Sequence, residues 1–361
     1  MTASSYTLSM LDLVPRLGES TYEEALRQAG RLARHGEAWG YKRYWAAEHH
    51  DLEHLSCASP EVLLAYIGAQ TTRIRLGSGA VLLPHYSPLK VAENFRMLAA
   101  LYPGRIDLGI GRAPGGSAHT SMALSGNYLG HVADLPNRIR ALTELLEDRY
   151  RYEDVPIAAR PVPAKPPVMW MLGTNTKSSG FAAEFGVGFV FGHFMSEVDG
   201  ADVLKSYREH FRPSAAMREP HSMVAVSIIC GDTERRAQEL AMQAQATRGT
   251  TGRESNNQHE SNNQHEPNEQ RKRNEQCERN EQCDSKERHG MPSSQSALSV
   301  PQGQGMLKHV ITGTPSAVRE QLLEMKERYG NDEFLVMVPV ADYEERLNCY
   351  RLLAGESAPI L

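Results

Sequence analysis

The chain has 361 residues, 40% of them hydrophobic, enough core for one large barrel or for two to three average domains. A formal charge of -5 argues against a general nucleic-acid binder, because neutralising phosphates needs a basic face. No apolar run reaches the roughly 18–20 residues of a membrane span; no secretion signal is read in Met1 to Pro15, and the five cysteines form no regular disulfide framework, so a cytoplasmic protein is expected.

In chain order, apolar runs alternate with helical periodicity. Strands are expected at Tyr6 to Val14, Tyr41 to Ala47, Ile74 to Leu83 and Ile106 to Ile110. Between them Thr21, with Glu24 three residues on, starts a helix that stops near Gly40, and Ser59-Pro60-Glu61 and Ser87-Pro88 start two more with proline in the first turn. Four further strands follow at Val168 to Leu172, Val187 to Phe191, Met223 to Cys230 and Glu333 to Val340, with helices around Phe181, Val203, Ala237 and Val318 and a last one at Tyr343 to Leu353. Eight strands in this alternation predict an α/β (β/α)8 TIM barrel, with an open parallel sheet as the structural alternative.

One segment breaks the pattern. From Glu254 the chain reads ESNNQH, ESNNQH, EPNEQR, KRNEQC, ERNEQC, DSKERH, a six-residue period with almost nothing to bury. Residues 1–248 are therefore read as the first part of the barrel, 249–305 as a disordered insertion after strand seven, and 306–361 as the final barrel unit and C-terminal helix. His259, His265, Cys277 and Cys283 offer a metal reading, but a spacing of six in a flexible chain does not pre-organise a tetrahedral site.

Chemistry concentrates where strands end. Trp45-Ala46-Ala47-Glu48-His49-His50 brings a carboxylate and two imidazoles to the exit of strand two, suited to proton transfer. Successive strand residues point to opposite faces, so His49 and His50 face the mouth together only if the strand has already ended. Gly77, Gly79 and Ala80 leave room for a planar group, or for tight packing. Gly109-Ile110-Gly111-Arg112 delivers a guanidinium beside Ala113-Pro114-Gly115-Gly116, and Gly173-Thr174-Asn175-Thr176-Lys177-Ser178 leads into a helix expected to begin near Ser178, whose free N–H groups suit an anion or an ordinary cap. Arg112 and that helix start could close on one phosphate from two strands.

The segments WAAEHH, GSGAVLLPHYSPLKVAENFRML, LYPGRIDLGIGRAPGG and MLGTNTKSSGFAAEFG together resemble the bacterial luciferase-like flavin monooxygenases, over almost the whole chain outside the repeat. The resemblance implies a TIM barrel that binds FMN, usually as reduced FMN from a separate flavin reductase, and that uses oxygen on a small organic substrate. Carried to the matching positions, it makes His49 the acid/base near the flavin, puts a non-prolyl cis peptide at Gly79-Ala80, and assigns the phosphate to Arg112, Thr174, Asn175 and Ser178. The luciferases' reactive cysteine is replaced by Gly111, so light emission is not implied. His50, His85, Tyr86, His131 and His193 are candidate contacts for substrate or flavin edge, and a homodimer is expected. The alternatives are an oxidoreductase using the deazaflavin F420, a flavin-binding protein without turnover, and a metal-dependent hydrolase built on Glu48, His49, His50 and His54.

Overall fold

The alternating strands and helices of residues 6–246 and 307–355, which are those the computed structural model describes, close into a (β/α)8 barrel. Its parallel strands are β1 (Thr7–Asp12), β2 (Arg43–Ala46), β3 (Arg75–Ser78), β4 (Ile106–Gly111), β5 (Val168–Gly173), β6 (Gly188–Gly192), β7 (Ser222–Cys230) and β8 (Glu333–Met337). Each pairs with the next, and β8 returns to β1 through Thr7↔Glu333 to Met10↔Val336, which excludes the open sheet. Residues 1–241 and 301–361 form the unit that carries this barrel; of a second unit, 242–300, only 242–246 are described. The expected insertion at 249–305, with its His259, His265, Cys277 and Cys283, lies outside the described residues. No described helix is long and apolar enough to cross a membrane.

Helix starts follow their local signals. Thr21 Oγ1 accepts from Glu24 N at 3.2 Å and caps the helix Tyr22–Ala38, while Pro60 and Pro88 open the helices Pro60–Gly68 and Pro88–Leu101. Strand ends differ more. The run expected as one strand from Ile74 to Leu83 is broken after Ser78, and Val81–Leu82 resumes pairing beside Ile110 and Gly111 of β4. The last strand stops at Met337 rather than Val340. Beyond the expected elements, Val310–Gly313 extends the sheet along Ser227 to Cys230 of β7.

Strand alternation sorts the barrel interior into layers. Near the N-terminal end, Arg43 donates to Glu333 and Asp107, each at 2.7 Å, Arg75 donates to Asp107 at 2.6 Å, and Ser9 donates to Glu333. Above this ionic layer Leu11, Trp45, Trp170, Val190, Met223 and Leu335 form an apolar one. This packed base fixes the strand exits on which the functional residues stand.

Candidate active site at the barrel mouth

The strand β2 ends at Ala46, so Glu48, His49 and His50 stand on the exit beyond it, where strand alternation no longer fixes the side each one faces. The His49 backbone N–H is tied to the Cys57 carbonyl at 2.9 Å, while its Nδ1 is buried with no hydrogen-bond partner. Burial, then the neighbouring His54 and His50, push its pKa down to about 4. At neutral pH His49 is an uncharged imidazole.

Glu48 and His50, both buried, have a different environment. Glu48 is buried, and its Oε1 accepts from His50 Nε2 at 2.8 Å and from the Tyr86 hydroxyl at 2.9 Å, while Oε2 accepts from the Leu82 N–H at 3.2 Å. Burial, then the Glu48 charge, holds the Tyr86 hydroxyl strongly in its protonated form.

Small residues shape the floor of the mouth. A Cβ on Gly77 would meet the Trp45 indole at 2.4 Å and one on Gly79 would meet Leu11 at 2.6 Å, so these two glycines serve internal packing rather than room for a ligand. Space opens one step higher, where a Cβ on Gly111 would meet only Ala80 at 3.3 Å and Leu82 at 3.7 Å. The Gly79-Ala80 peptide between these levels is cis.

Arg112 follows β4 directly, and β4 pairs with β5 through Ile110↔Met171, so two further residues along each strand bring Arg112 level with Gly173. Its carbonyl accepts from the Tyr128 hydroxyl at 2.7 Å; its guanidinium has neither hydrogen bond nor ion pair among the described residues. On the β5 side the helix is Thr176–Glu184, two residues earlier than the expected start near Ser178. Asn175 is its cap and accepts from Ser178 N at 3.2 Å, which leaves Thr176 and Ser178 out of the capping role. A Cβ on Gly173 would lie 2.2 Å from Ser178 Cβ, so only glycine lets the strand end pack this closely against the first turn of the helix.

A glycine-lined mouth, an unpaired arginine and a helix N-terminus on adjacent strands meet a family match. The luciferase-like monooxygenase model matches residues 7–332. The chain belongs to the luciferase-like monooxygenase family. A luciferase-like monooxygenase of Escherichia coli strain K12 is 34% identical over 360 residues, covering 98% of this chain and 97% of the relative. An N-acetyl-S-alkylcysteine monooxygenase of Bacillus subtilis is 32% identical over 355 residues, covering 96% and 97%. The crystal structure of apo-MsnO8 superposes with a TM-score of 0.73 at 28% identity, covering 98% of this chain and 97% of that one. Membership makes the chain an oxidoreductase.

The remaining candidates of this luciferase-like chain divide into two groups. His50 and Tyr86 meet at Glu48; His85 packs near His50, with Nε2 donating to the Pro114 carbonyl at 2.9 Å and its ring stacked on Tyr128. His131 joins them through Nδ1, which donates to the Pro84 carbonyl at 2.8 Å. His193 stands apart in the turn His193–Met195 after β6, stacked on His309 at 4.9 Å with the Tyr329 hydroxyl 3.2 Å from Nδ1. Burial, His309 and Arg328 push its pKa to about 4.

Sequence reasoning missed Tyr128, His309 and Tyr329, which come from other elements and carry no local motif. It also missed Glu48 as the hub of the β2 exit, although Glu48 and His50 share one side of an extended segment. The hydrolase alternative finds no support, since no group of three metal-ligating side chains is placed to hold an ion among the described residues.

Proposed function

We propose that this protein is a flavin-dependent monooxygenase that uses reduced FMN and molecular oxygen to oxidise a small organic substrate. The observation that carries the reading is the Arg112 guanidinium, unpaired among the described residues and level with the Gly173 corner and the helix start at Thr176. A guanidinium fork and the N–H groups of a helix start are the donors that a phosphate takes, which supports assigning the phosphate to this side of the mouth. Arg112, Thr174 and Ser178 would hold it, with Asn175 contributing through the backbone because its side chain caps the helix. Ala80 and Gly111 would lie against the flavin ring, where a larger side chain would intrude.

When bound, reduced FMN supplies two electrons for oxygen activation, one oxygen atom entering the substrate and the other leaving as water. His49, neutral at neutral pH because burial lowers its pKa to about 4, would exchange a proton with the reacting groups through its unprotonated ring nitrogen, and bound flavin or substrate would give its Nδ1 the partner it lacks among the described residues. The apolar cluster beneath it, with Leu13 and Leu172 packed at its upper edge, limits water at the floor. The relative that acts on an N-acetyl-S-alkylcysteine makes thioethers the first substrates to test.

A separate flavin reductase and a cytoplasmic location complete the proposal. So does a homodimer, for which Val62, Tyr66, Met97 and Leu101 on the helices Pro60–Gly68 and Pro88–Leu101 supply exposed apolar surface.

The test is an anaerobic titration with reduced FMN, run in parallel with reduced F420, followed by oxygen and a thioether panel. Saturable binding of FMN and substrate-dependent oxygen consumption are expected. Preference for F420 would favour the deazaflavin oxidoreductase, binding without substrate-dependent oxygen use would favour the non-catalytic reading, and binding of neither would overturn all three.

A further inference from the structure

We infer that Glu48 is a positioning residue: its carboxylate ties the strand exit that carries His49 to the segment after Ala80, and it holds His50, whose main chain reaches the turn after Arg112. The inference rests on the flavin reading for its consequence, but its geometry stands on this chain alone.

The carboxylate side chain is 1% exposed, and the side chains that reach it are a histidine and a tyrosine, not an arginine or lysine. Burying a carboxylate carries a penalty of several kcal/mol, and well-packed apolar groups of similar volume are often as stable. A stability role alone is therefore a weak account of Glu48.

Its contacts join separate segments. His50 ties Glu48 to its own strand exit and, through the His50 N–H to Gly115 carbonyl bond of 2.8 Å, to the turn after Arg112. The Leu82 N–H and the Tyr86 hydroxyl tie it to both ends of the segment that follows Ala80. Close packing leaves no slack between these ties: a Cβ on Gly115 would meet Leu82 at 2.2 Å, and one on Gly116 would meet the His50 carbonyl at 2.5 Å. Tyr86 is itself held from behind, its carbonyl accepting from Arg138 at 2.8 Å. Glu48 thus joins the exit that carries His49 to the segment that follows Ala80, and its partner His50 extends the link to the turn after Arg112.

The discriminating variant is Glu48→Gln. Glutamine keeps the size and one acceptor oxygen, but its amide nitrogen faces either the Leu82 N–H or the His50 and Tyr86 donors. Two readouts are needed: hydrogen exchange of the Ala80 to Tyr86 amides and of the His50 amide in the ligand-free protein, and affinity for reduced FMN. Loss of one buried bond is expected to speed exchange in those segments and to weaken FMN about tenfold. Tyr86→Phe should move both in the same direction by less, because the Leu82 and His50 bonds remain. Unchanged local exchange, or faster exchange spread evenly over the barrel with a matching fall in melting temperature, would overturn the clamp. If the unaltered protein binds no flavin, the flavin reading fails while exchange in the ligand-free protein still decides the clamp.

Discussion

The two ends of the barrel treat polar groups in opposite ways. At the N-terminal end Arg43, Arg75, Asp107 and Glu333 are locked in mutual ion pairs, with Asp107 fully buried and Lys42 and Ser9 closing on Glu333. At the C-terminal end Arg112 has no partner among the described residues, and His49 Nδ1 and His85 Nδ1 are buried without one. Unpaired buried polar atoms are unfavourable by about 1–3 kcal/mol each; Trp170 Nε1, Ser227 Oγ and Arg96 Nε are others of the kind. Under the proposed function, the contrast separates residues kept for folding from residues kept for chemistry.

That separation can be broken in stages. Glu333→Ala removes the carboxylate facing Arg43 and Lys42 and should destabilise the fold by roughly 3–5 kcal/mol, read as a lower urea midpoint. His49→Ala should leave folding and flavin affinity close to those of the unaltered chain but slow turnover about 100-fold or more. Arg112→Ala should weaken FMN by about 10- to 100-fold with little change in the ligand-free melting temperature. An Arg112 variant that unfolds, or a Glu333 variant whose only defect is in FMN binding, would erase the distinction between the ends.

The smallest effect is a pH dependence. His49 and His193 are neutral in the fold down to about pH 4, whereas in the unfolded chain each takes up a proton near 6.5. The unfolded state therefore binds more protons between these values, and stability falls as pH drops through that window, then levels below it. At pH 5.5 His49 should account for about 1 kcal/mol of the loss, and the more exposed His193 for less because solvent screens it. A His49→Gln variant should show a shallower decline in urea midpoint from pH 7 to 5; an identical slope would mean that His49 is not held neutral by burial.

Much of this arrangement was legible in the sequence because its signals are local. Thr21 with Glu24 and the prolines at positions 60 and 88 each determine a helix start within one turn. The alternation of strand and helix implied the closed barrel, and the motif resemblance located the cis peptide at Gly79-Ala80. The misreadings are equally specific. The helix after β5 starts at Thr176 because Asn175, not a later serine, has the extended backbone that a cap requires. At Gly77, where the sequence left room for a planar group and tight packing both open, the indole of Trp45 from the neighbouring strand decides for packing.

The sequence by itself determined the order of elements, the family, and which residue types stand at each strand exit, since these depend on neighbours a few positions apart. The tertiary structure alone decided which groups are paired and which are left open. That Glu48 would collect Leu82 and Tyr86, that His193 would stack on His309, and that Arg112 would stand level with Gly173 depend on barrel closure and strand register, which bring together side chains 34 to 116 positions apart.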